Sequence, residues 1–185
     1  MRIVGGRLGG RRLAAVPRQG LRPTADPVRE ALFNILGSRV RGRPFVDLCA
    51  GTGAVGLEAL SRGAEPVLFV EQSRASLKVL TRNLALLGLD SSVGASRIVQ
   101  EEVGKWLEHP RGLPASPVEV VFLDPPYGER RKVRWLDRLL ASGDWLGSEA
   151  LIVVEHRSGD PPHSPIAEPC WSRRYGDTTL TAWER

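Results

Sequence analysis

One short segment combines three glycines with an acidic residue at a spacing that could hold a cofactor. Asp47 to Gly56 reads Asp-Leu-Cys-Ala-Gly-Thr-Gly-Ala-Val-Gly, so Gly51, Gly53 and Gly56 form a Gly-x-Gly-x-x-Gly pattern after an apolar run. Glycines allow a tight turn and close approach of a ligand, and the helix N-terminus that follows offers free N–H groups. Glu71 ends the next apolar run, 20 residues after Gly51, where a carboxylate accepts hydrogen bonds from ribose hydroxyls. This spacing predicts a site for a nucleoside-containing cofactor.

The acidic residue before the glycines discriminates between cofactors. A dinucleotide would bring its pyrophosphate to the turn, where Asp47 would repel it. S-adenosylmethionine carries a free ammonium and a sulfonium, which suit that carboxylate, so we predict this cofactor and its product S-adenosylhomocysteine rather than NAD. The alternative is that the glycines only make a turn and Asp47 is a solvated strand end. The residues predicted to bind the cofactor here are Asp47, Cys49, Ala50, Gly51, Thr52, Gly53 and Glu71.

Two further acids follow the third predicted strand. Either Glu101 or Glu102 could accept a hydrogen bond from the exocyclic amine of adenine and so complete the cofactor site. Either could equally be a first-turn acid that stabilises the positive end of the next helix. The sequence leaves both interpretations open.

A second motif, Asp124-Pro125-Pro126-Tyr127, follows another apolar run and suits chemistry on an exocyclic amine. The lone pair of such a nitrogen is delocalised into the ring, and fixed acceptors on its two N–H groups localise it. The Asp124 carboxylate is one acceptor, and the Pro125 carbonyl is another because two prolines restrict the turn. Tyr127 can stack on an unpaired or flipped base. We predict Asp124, Pro125 and Tyr127 as the catalytic group, acting by positioning and electrostatics without a metal or covalent nucleophile. Taken alone, the turn could be structural.

Alternating strands and helices must position these motifs. The alternation from Phe45 onward predicts a parallel sheet with right-handed crossovers, and the chain should end in an antiparallel hairpin around Gly176-Asp177. Ligands bind at the carboxyl ends of strands in such a sheet, near the switch in strand order, so Asp124 should lie beside the glycine turn. The predicted strands are 45–48, 67–71, 97–100, 118–123, 150–155, 171–175 and 178–183, and the predicted helices are 54–62, 73–87, 102–107 and 133–140.

The N-terminal segment differs in character from the rest. Residues 1–43 carry ten arginines against two acids, a net charge of +8, whereas residues 44–185 carry 16 basic and 19 acidic residues, a net charge of −3. Residues 2–16 predict a Gly-rich β-hairpin arm, and a helix should follow with Asp26 as N-cap and Pro27 at the first helical position. We predict that 1–43 docks RNA, with Arg11 and Arg12 as contacts, and that 44–185 binds the cofactor.

Composition excludes several classes of protein. The 185 residues include only two cysteines, with no Cys-x-x-Cys pair, and three separated histidines, which argues against a zinc site and a disulfide framework. No apolar run reaches the ~18 residues of a membrane span, and no secretory signal is evident. We expect a cytoplasmic protein that binds no metal and does not contact a membrane.

Taken together, these motifs resemble those of class I methyltransferases that modify exocyclic amines. Met1-Arg2-Ile3-Val4-Gly5-Gly6, Tyr175-Gly176-Asp177-Thr178 and the long segment from Arg22-Pro23-Thr24 to Asn34 are similar to the signature of the RsmD-like bacterial 16S rRNA (guanine-N2)-methyltransferases. The resemblance covers essentially the whole chain.

That resemblance implies an α/β fold with a Rossmann-like, seven-stranded, mostly parallel sheet. It also implies S-adenosylmethionine as donor and one guanine of 16S rRNA as target, within an assembled or partly assembled 30S particle. We expect the enzyme to be a monomer. By match to the N-terminal signature, Arg22, Thr24, Arg29 and Asn34 should face the active-site mouth. Pro27 departs from the pattern, because the family commonly has a basic residue there.

Other functions compete with this one. The same Asp-Pro-Pro-Tyr turn would serve an adenine-N6 methyltransferase of DNA or RNA, although a carboxylate that accepts from N1–H and N2–H together mildly favours guanine. A protein-glutamine methylase usually has Asn where Asp124 stands. A non-catalytic RNA module that binds S-adenosylmethionine and an NAD oxidoreductase are the alternatives from other classes.

Overall fold

The sheet contains every strand that the sequence predicts. The computed structural model describes residues 1–15, 25–89, 94–126, 128–141 and 144–185. The strands are β1 (Phe45–Leu48), β2 (Val67–Glu71), β3 (Ser96–Gln100), β4 (Val118–Leu123), β5 (Leu146–Arg157), β6 (Trp171–Tyr175) and β7 (Thr178–Glu184). The helices are α1 (Asp26–Leu36), α2 (Ala54–Ser61), α3 (Arg74–Leu87), α4 (Val103–Trp106) and α5 (Lys132–Leu140).

The seven strands form one sheet in the order β3-β2-β1-β4-β5-β7-β6. The first five strands are parallel, and β7 runs antiparallel between β5 and β6. This confirms the predicted α/β fold, with its mostly parallel sheet and antiparallel C-terminal hairpin. β5 is longer than predicted, because Leu146 pairs with Val118 ahead of a register shift. The following Gly147-Ser148-Glu149 carries no sequence pattern typical of a strand.

Helices cover both faces of the sheet, so the central strands are apolar on both sides. On one face Phe45, Phe69 and Phe122 pack in a core with residues of α1, α2 and α3. On the other face Val46 and Val70 pack in a second core with residues of α4 and α5. None of the helices among the described residues is long and apolar enough to cross a bilayer.

Helix α1 begins one residue away from the predicted position. Ala25 is its N-cap and Asp26 its first residue, so the prediction of Asp26 as N-cap is wrong. The Asp26 carboxylate instead accepts a hydrogen bond from Arg29 at 2.9 Å and lies 3.6 Å from Arg2. Asp26 therefore ties the first turn of α1 to the N-terminal segment rather than capping the helix.

Residues 1–15, which we call the arm, form a short hairpin that packs against the helices. Arg2 and Arg12 pair in an antiparallel bridge, as the sequence predicts. Ile3, Leu8 and Leu13 are buried in the same apolar core as α1, α2 and α3. The arm is therefore seated on the body of the protein through its own apolar side chains.

Candidate active site

The two sequence motifs meet at the carboxyl end of the sheet. Leu48 at the end of β1 and Leu123 at the end of β4 are register partners. The N–H of Asp124 donates to the Leu48 carbonyl at 3.2 Å, and the N–H of Ala50 donates to the Val70 carbonyl at 3.1 Å. The glycine turn and the Asp-Pro-Pro turn are thus neighbours, as the predicted strand order requires.

The backbone of the glycine turn has room for only the smallest residue at two of its three glycines. Gly53 has a φ of +83°, and a Cβ there would lie 2.3 Å from the Leu80 side chain. A Cβ on Gly56 would lie 2.2 Å from Phe69 and 3.0 Å from the Asp47 carboxylate. Gly51 has a φ of +56° and faces open space, with only the Cys49 carbonyl within 4 Å of a Cβ. The turn is close-packed toward the protein and open at Gly51.

Asp47 is a buried carboxylate at the end of β1. It is 2 % exposed, and its Oδ2 accepts a hydrogen bond from the Gly56 N–H at 2.8 Å. Burial raises the pKa of Asp47 to about 7; the Gly56 hydrogen bond opposes this, and the negative charge of Glu71 adds to it. A positive charge beside Asp47 would stabilise its ionised form.

Glu71 organises the turn from the neighbouring strand. Its Oε2 accepts a hydrogen bond from the Gly51 N–H at 2.8 Å, and its Oε1 accepts one from the Ser73 N–H at 2.6 Å. Each carboxylate oxygen keeps a second lone pair. Glu71 therefore fixes the position of Gly51, and the predicted contact with ribose hydroxyls stays a prediction.

Several carboxylates surround Cys49. Burial raises the pKa of this thiol well above its ordinary value, and the charges of Asp124, Glu71, Asp47 and Glu102 raise it further, in that order. Acids at or just beyond the carboxyl ends of β1, β2, β3 and β4 therefore act on one point and give it a negative potential. Cys49 stays a neutral thiol and cannot serve as a thiolate nucleophile. Among the described residues, no group of three or more His, Cys, Asp or Glu side chains could hold a metal ion.

The structure separates the two acids after β3. Glu102 is the N-cap of α4, where its Oε2 accepts the Lys105 N–H at 2.9 Å, which confirms a helix-stabilising role. The Glu101 carboxylate is paired with Arg111 at 3.0 Å. The adenine contact proposed for one of these acids is tested by neither arrangement and stays a prediction.

The segment after Asp124 is tethered to the opposite side of the site. Asp124 is half-buried and Pro125 buried, whereas Tyr127 lies outside the described residues. Arg131 binds the Glu129 carboxylate through Nε at 2.8 Å and Nη2 at 2.7 Å, and Arg131 Nη1 donates to Glu102 at 3.0 Å. This bridge, which the sequence did not indicate, links the loop that follows Asp-Pro-Pro to the acids after β3.

The predicted RNA contacts fall into three groups. Arg11 and Arg12 are exposed on the arm, and Asn34 is exposed on α1. Arg29 is fully buried and donates to the Arg2 carbonyl at 2.5 Å, so its assignment to the active-site mouth is wrong. Its guanidinium joins α1 to the arm instead. The remaining predicted contacts, Arg22 and Thr24, lie outside the described residues.

Asn83 is a structurally important residue that the sequence analysis missed. It is fully buried on the face of α3 that also carries Leu80, Leu84 and Leu87. Its side chain hydrogen-bonds both Ala14 of the arm and Thr52 of the glycine turn. A polar residue on an otherwise apolar helical face was the signal that could have identified it.

Comparison with known proteins identifies close relatives. A family model described as "Conserved hypothetical protein 95" matches residues 1–184. The Escherichia coli K12 protein named "Ribosomal RNA small subunit methyltransferase D" is 41% identical over 155 residues, covering 84% of this chain and 74% of that protein. The Haemophilus influenzae protein of the same name is 35% identical over 165 residues, covering 89% of this chain and 83% of that protein. A solved structure of a hypothetical protein of Thermus thermophilus has a TM-score of 0.81 and 32% identity, covering 100% and 99% of the two chains.

Proposed function

The chain belongs to the family of ribosomal RNA small subunit methyltransferase D, and we propose that it methylates an exocyclic amine of small-subunit rRNA. The donor is S-adenosylmethionine and the target is the N2 amine of one guanine in 16S rRNA. The observation that carries this proposal is the junction of the Asp124-Pro125 turn with the glycine turn, held by the bond from the Asp124 N–H to the Leu48 carbonyl. It supports the assignment of Asp124 and Pro125 as acceptors for the amine, because both lie next to the turn that we assign to the cofactor.

The residues present fit a cationic nucleoside cofactor. The carboxylates around Cys49 give the site a negative potential, and a cation beside Asp47 would lower its pKa of about 7 and increase its charge near neutral pH. We assign the amino-acid part of the cofactor to Asp47 and the open side of the turn at Gly51, and the ribose to Glu71. Bound S-adenosylmethionine supplies an electrophilic methyl group on a sulfonium sulfur. Cys49, Ala50, Thr52 and Gly53 complete the turn, and one of Glu101 and Glu102 would meet the adenine.

Backbone and side-chain groups of the Asp-Pro-Pro-Tyr turn act on the exocyclic amine, which is the nucleophile. The Asp124 carboxylate and the Pro125 carbonyl accept the two N–H groups of the amine, which localises the nitrogen lone pair toward the donor. The nitrogen gains the methyl carbon and gives up one proton, and we assign the Asp124 carboxylate as the acceptor of that proton. Tyr127 stacks on the flipped base. Positioning and electrostatics supply the rate enhancement.

The arm offers a docking surface for RNA phosphates. Arg2 and Arg12 are partners in the antiparallel bridge, and the Asp26 carboxylate beside Arg2 offsets part of their positive charge. Both are exposed, as are Arg7 and Arg11. We assign residues 1–43 to substrate docking, with Arg22, Thr24 and Asn34 toward the mouth, and residues 44–185 to catalysis. The substrate is 16S rRNA within a 30S particle, and the enzyme acts as a monomer in the cytoplasm.

The direct test is the transfer of labelled methyl groups from S-adenosylmethionine to 30S particles and to naked 16S rRNA. We expect transfer to the particles to exceed transfer to naked rRNA, and mass analysis of the nucleosides to find N2-methylguanosine. Methyladenosine as the only product would refute the guanine assignment and support the adenine-N6 alternative.

A variant separates catalysis from cofactor binding. Asp124→Ala removes the carboxylate acceptor, so we expect methyl transfer to fall by about 100-fold or more. Binding of S-adenosylhomocysteine, measured by calorimetry, should stay within about threefold of the native value, because Asp124 acts on the base. Asp124→Asn keeps one acceptor oxygen and should lose less activity than the alanine variant. Undiminished transfer in Asp124→Ala would eliminate the proposed mechanism.

A further inference from the structure

The arm is anchored to the two helices that follow the glycine turn and β2. On α2, the Glu58 carboxylate accepts hydrogen bonds from the Val4 N–H at 2.7 Å and the Gly5 N–H at 2.8 Å. Ser61 Oγ accepts the Leu8 N–H at 3.0 Å and donates to the Gly5 carbonyl at 2.6 Å. These contacts hold the arm in place at α2 without involving the glycine turn.

Asn83 on α3 makes a different kind of contact. Its Oδ1 accepts the Ala14 N–H at 2.7 Å, and its Nδ2 donates to the Ala14 carbonyl at 3.2 Å and to the Thr52 carbonyl at 3.0 Å. The side chain is fully buried, and both of its N–H groups have acceptors. The Asn83 amide therefore joins the end of the arm to the glycine turn. Asn83 is 69 residues from Ala14 and 31 residues from Thr52 in the sequence.

The turn at Thr52 is a point where such a contact matters. Thr52 lies between Gly51 and Gly53, whose φ values of +56° and +83° leave the turn little side-chain support of its own. The Thr52 carbonyl is held by Asn83, while the Gly51 N–H is held by Glu71. If the arm moved away at Ala14, the buried Asn83 amide would either lose its partners in the arm or move with them. Either change would alter the hydrogen bond from Asn83 to the Thr52 carbonyl.

We propose that Asn83 is a positioning residue that couples the position of the arm to the conformation of the glycine turn. A cofactor that orders the turn also holds Asn83, and through it Ala14, in place. By linkage, RNA that holds the arm strengthens cofactor binding by the same factor. The part that concerns RNA rests on the proposed function; the link between the arm and the turn does not.

Amide hydrogen exchange tests the coupling without RNA. In the native chain, saturating S-adenosylhomocysteine should slow exchange of the Ala14 amide and neighbouring arm amides by about fivefold or more. Asn83→Asp keeps an acceptor for the Ala14 N–H and loses the donations to the Ala14 and Thr52 carbonyls. The arm should stay seated through the Ala14 N–H and its contacts with α2, while the cofactor effect disappears. Asn83→Ala should lose both. Ser61→Ala is the matched control, because it removes an arm contact and leaves Thr52 held, and it should retain the effect.

The outcomes distinguish this inference from the proposed function. If the cofactor product binds the native chain and leaves arm exchange unchanged, or if Asn83→Asp keeps the full effect, the coupling is wrong and the proposed function stands. If S-adenosylhomocysteine does not bind at all, both are wrong. If coupling is present while 30S particles accept no methyl group, the proposed substrate is wrong and Asn83 keeps its role.

Discussion

Asp47 shows how a single residue can prepare a site for a charged ligand. The fold removes its carboxylate from water and places Glu71 nearby, and the hydrogen bond from the Gly56 N–H compensates in part. The carboxyl group is therefore half-protonated near neutral pH before any cation arrives. Binding of an ammonium group would draw the pKa back down, so protons and cofactor compete for this residue.

This competition predicts how cofactor affinity depends on pH. Because the pKa of Asp47 is raised to about 7, the native chain should bind S-adenosylhomocysteine up to ~30-fold more weakly at about pH 5.5 than at about pH 8. Calorimetry across this range measures the effect. Asp47→Asn should bind weakly with little dependence on pH, and a native affinity that is constant over the range would contradict the assignment.

The raised pKa of Asp47 also predicts that, without cofactor, the native chain loses stability as pH rises, although its affinity for the cofactor increases. An acid whose folded pKa lies above its ordinary value of 3.8 binds more protons when folded, so it costs stability as pH rises between about 4 and 7. Over that window Asp47→Asn should become progressively more stable relative to the native chain. Thermal unfolding of both proteins at several pH values checks this, and a constant difference between them would be inconsistent with a raised pKa.

The burial of Arg29 could not be predicted from the residues around it in the sequence. Arg29 stands in a basic segment that resembles an RNA-binding signature, and nothing local distinguishes it from the exposed arginines of the arm. Its burial results from the docking of the arm onto α1, where Arg29 hydrogen-bonds Asp26 and the Arg2 carbonyl. Asn83 was missed for the same reason, because its partners lie far from it in sequence.

At the scale of elements, the strands of the sheet could be predicted from the sequence, whereas the packing of the arm against the helices could not. Strand and helix periodicity is local, and the Ser73 cap and the Gly88 stop of α3 follow from residue type alone. The position of the arm depends on Glu58, an acid on the fully buried helix α2 to which the sequence analysis assigned no role. The acid is buried because two backbone N–H groups and Arg62 bind it.

Glu58 should therefore contribute measurably to stability. Glu58→Gln replaces one acceptor oxygen by an NH₂ group that faces a backbone N–H, and should lower the free energy of unfolding by about 2 kcal/mol. Denaturant unfolding gives this value. Arg39→Ala, which breaks the exposed pair with Glu184, is the control and should cost less than about 1 kcal/mol. Equal effects in the two variants would mean that Glu58 does not anchor the arm.

At the scale of the whole molecule, charge is unevenly distributed between two segments of the chain. The net charge is +8 in residues 1–43 and −3 in residues 44–185, which favours a polyanion at the N-terminal segment and a cation at the remainder of the chain. The structure sharpens this division, because Arg29 is buried and the arginines of the arm are exposed. The arm brings its exposed arginines to α2 and α3, so the docking surface that we propose would lie beside the glycine turn.

Salt should consequently affect the two binding events differently. If the four exposed arginines of the arm each meet one phosphate, the logarithm of rRNA affinity should fall with the logarithm of salt with a slope of about −3. Affinity for S-adenosylhomocysteine should change far less, because Asp47 and Glu71, which we assign to it, are buried. Reversing charge at Arg11 and Arg12 to Glu should reduce the steepness of the slope by about 2 and leave binding of S-adenosylhomocysteine without RNA within about twofold.

The matched control for that double variant reverses Arg173 and Arg174 to Glu, which are exposed on β6 at the edge of the sheet opposite β3. It makes the same change in net charge at a site distant in the strand order. Binding to 30S particles, measured by filter retention over a series of salt concentrations, should respond to the arm variant much more than to the β6 variant. Equal responses would show that overall charge attracts the RNA and that the arm is not its docking site.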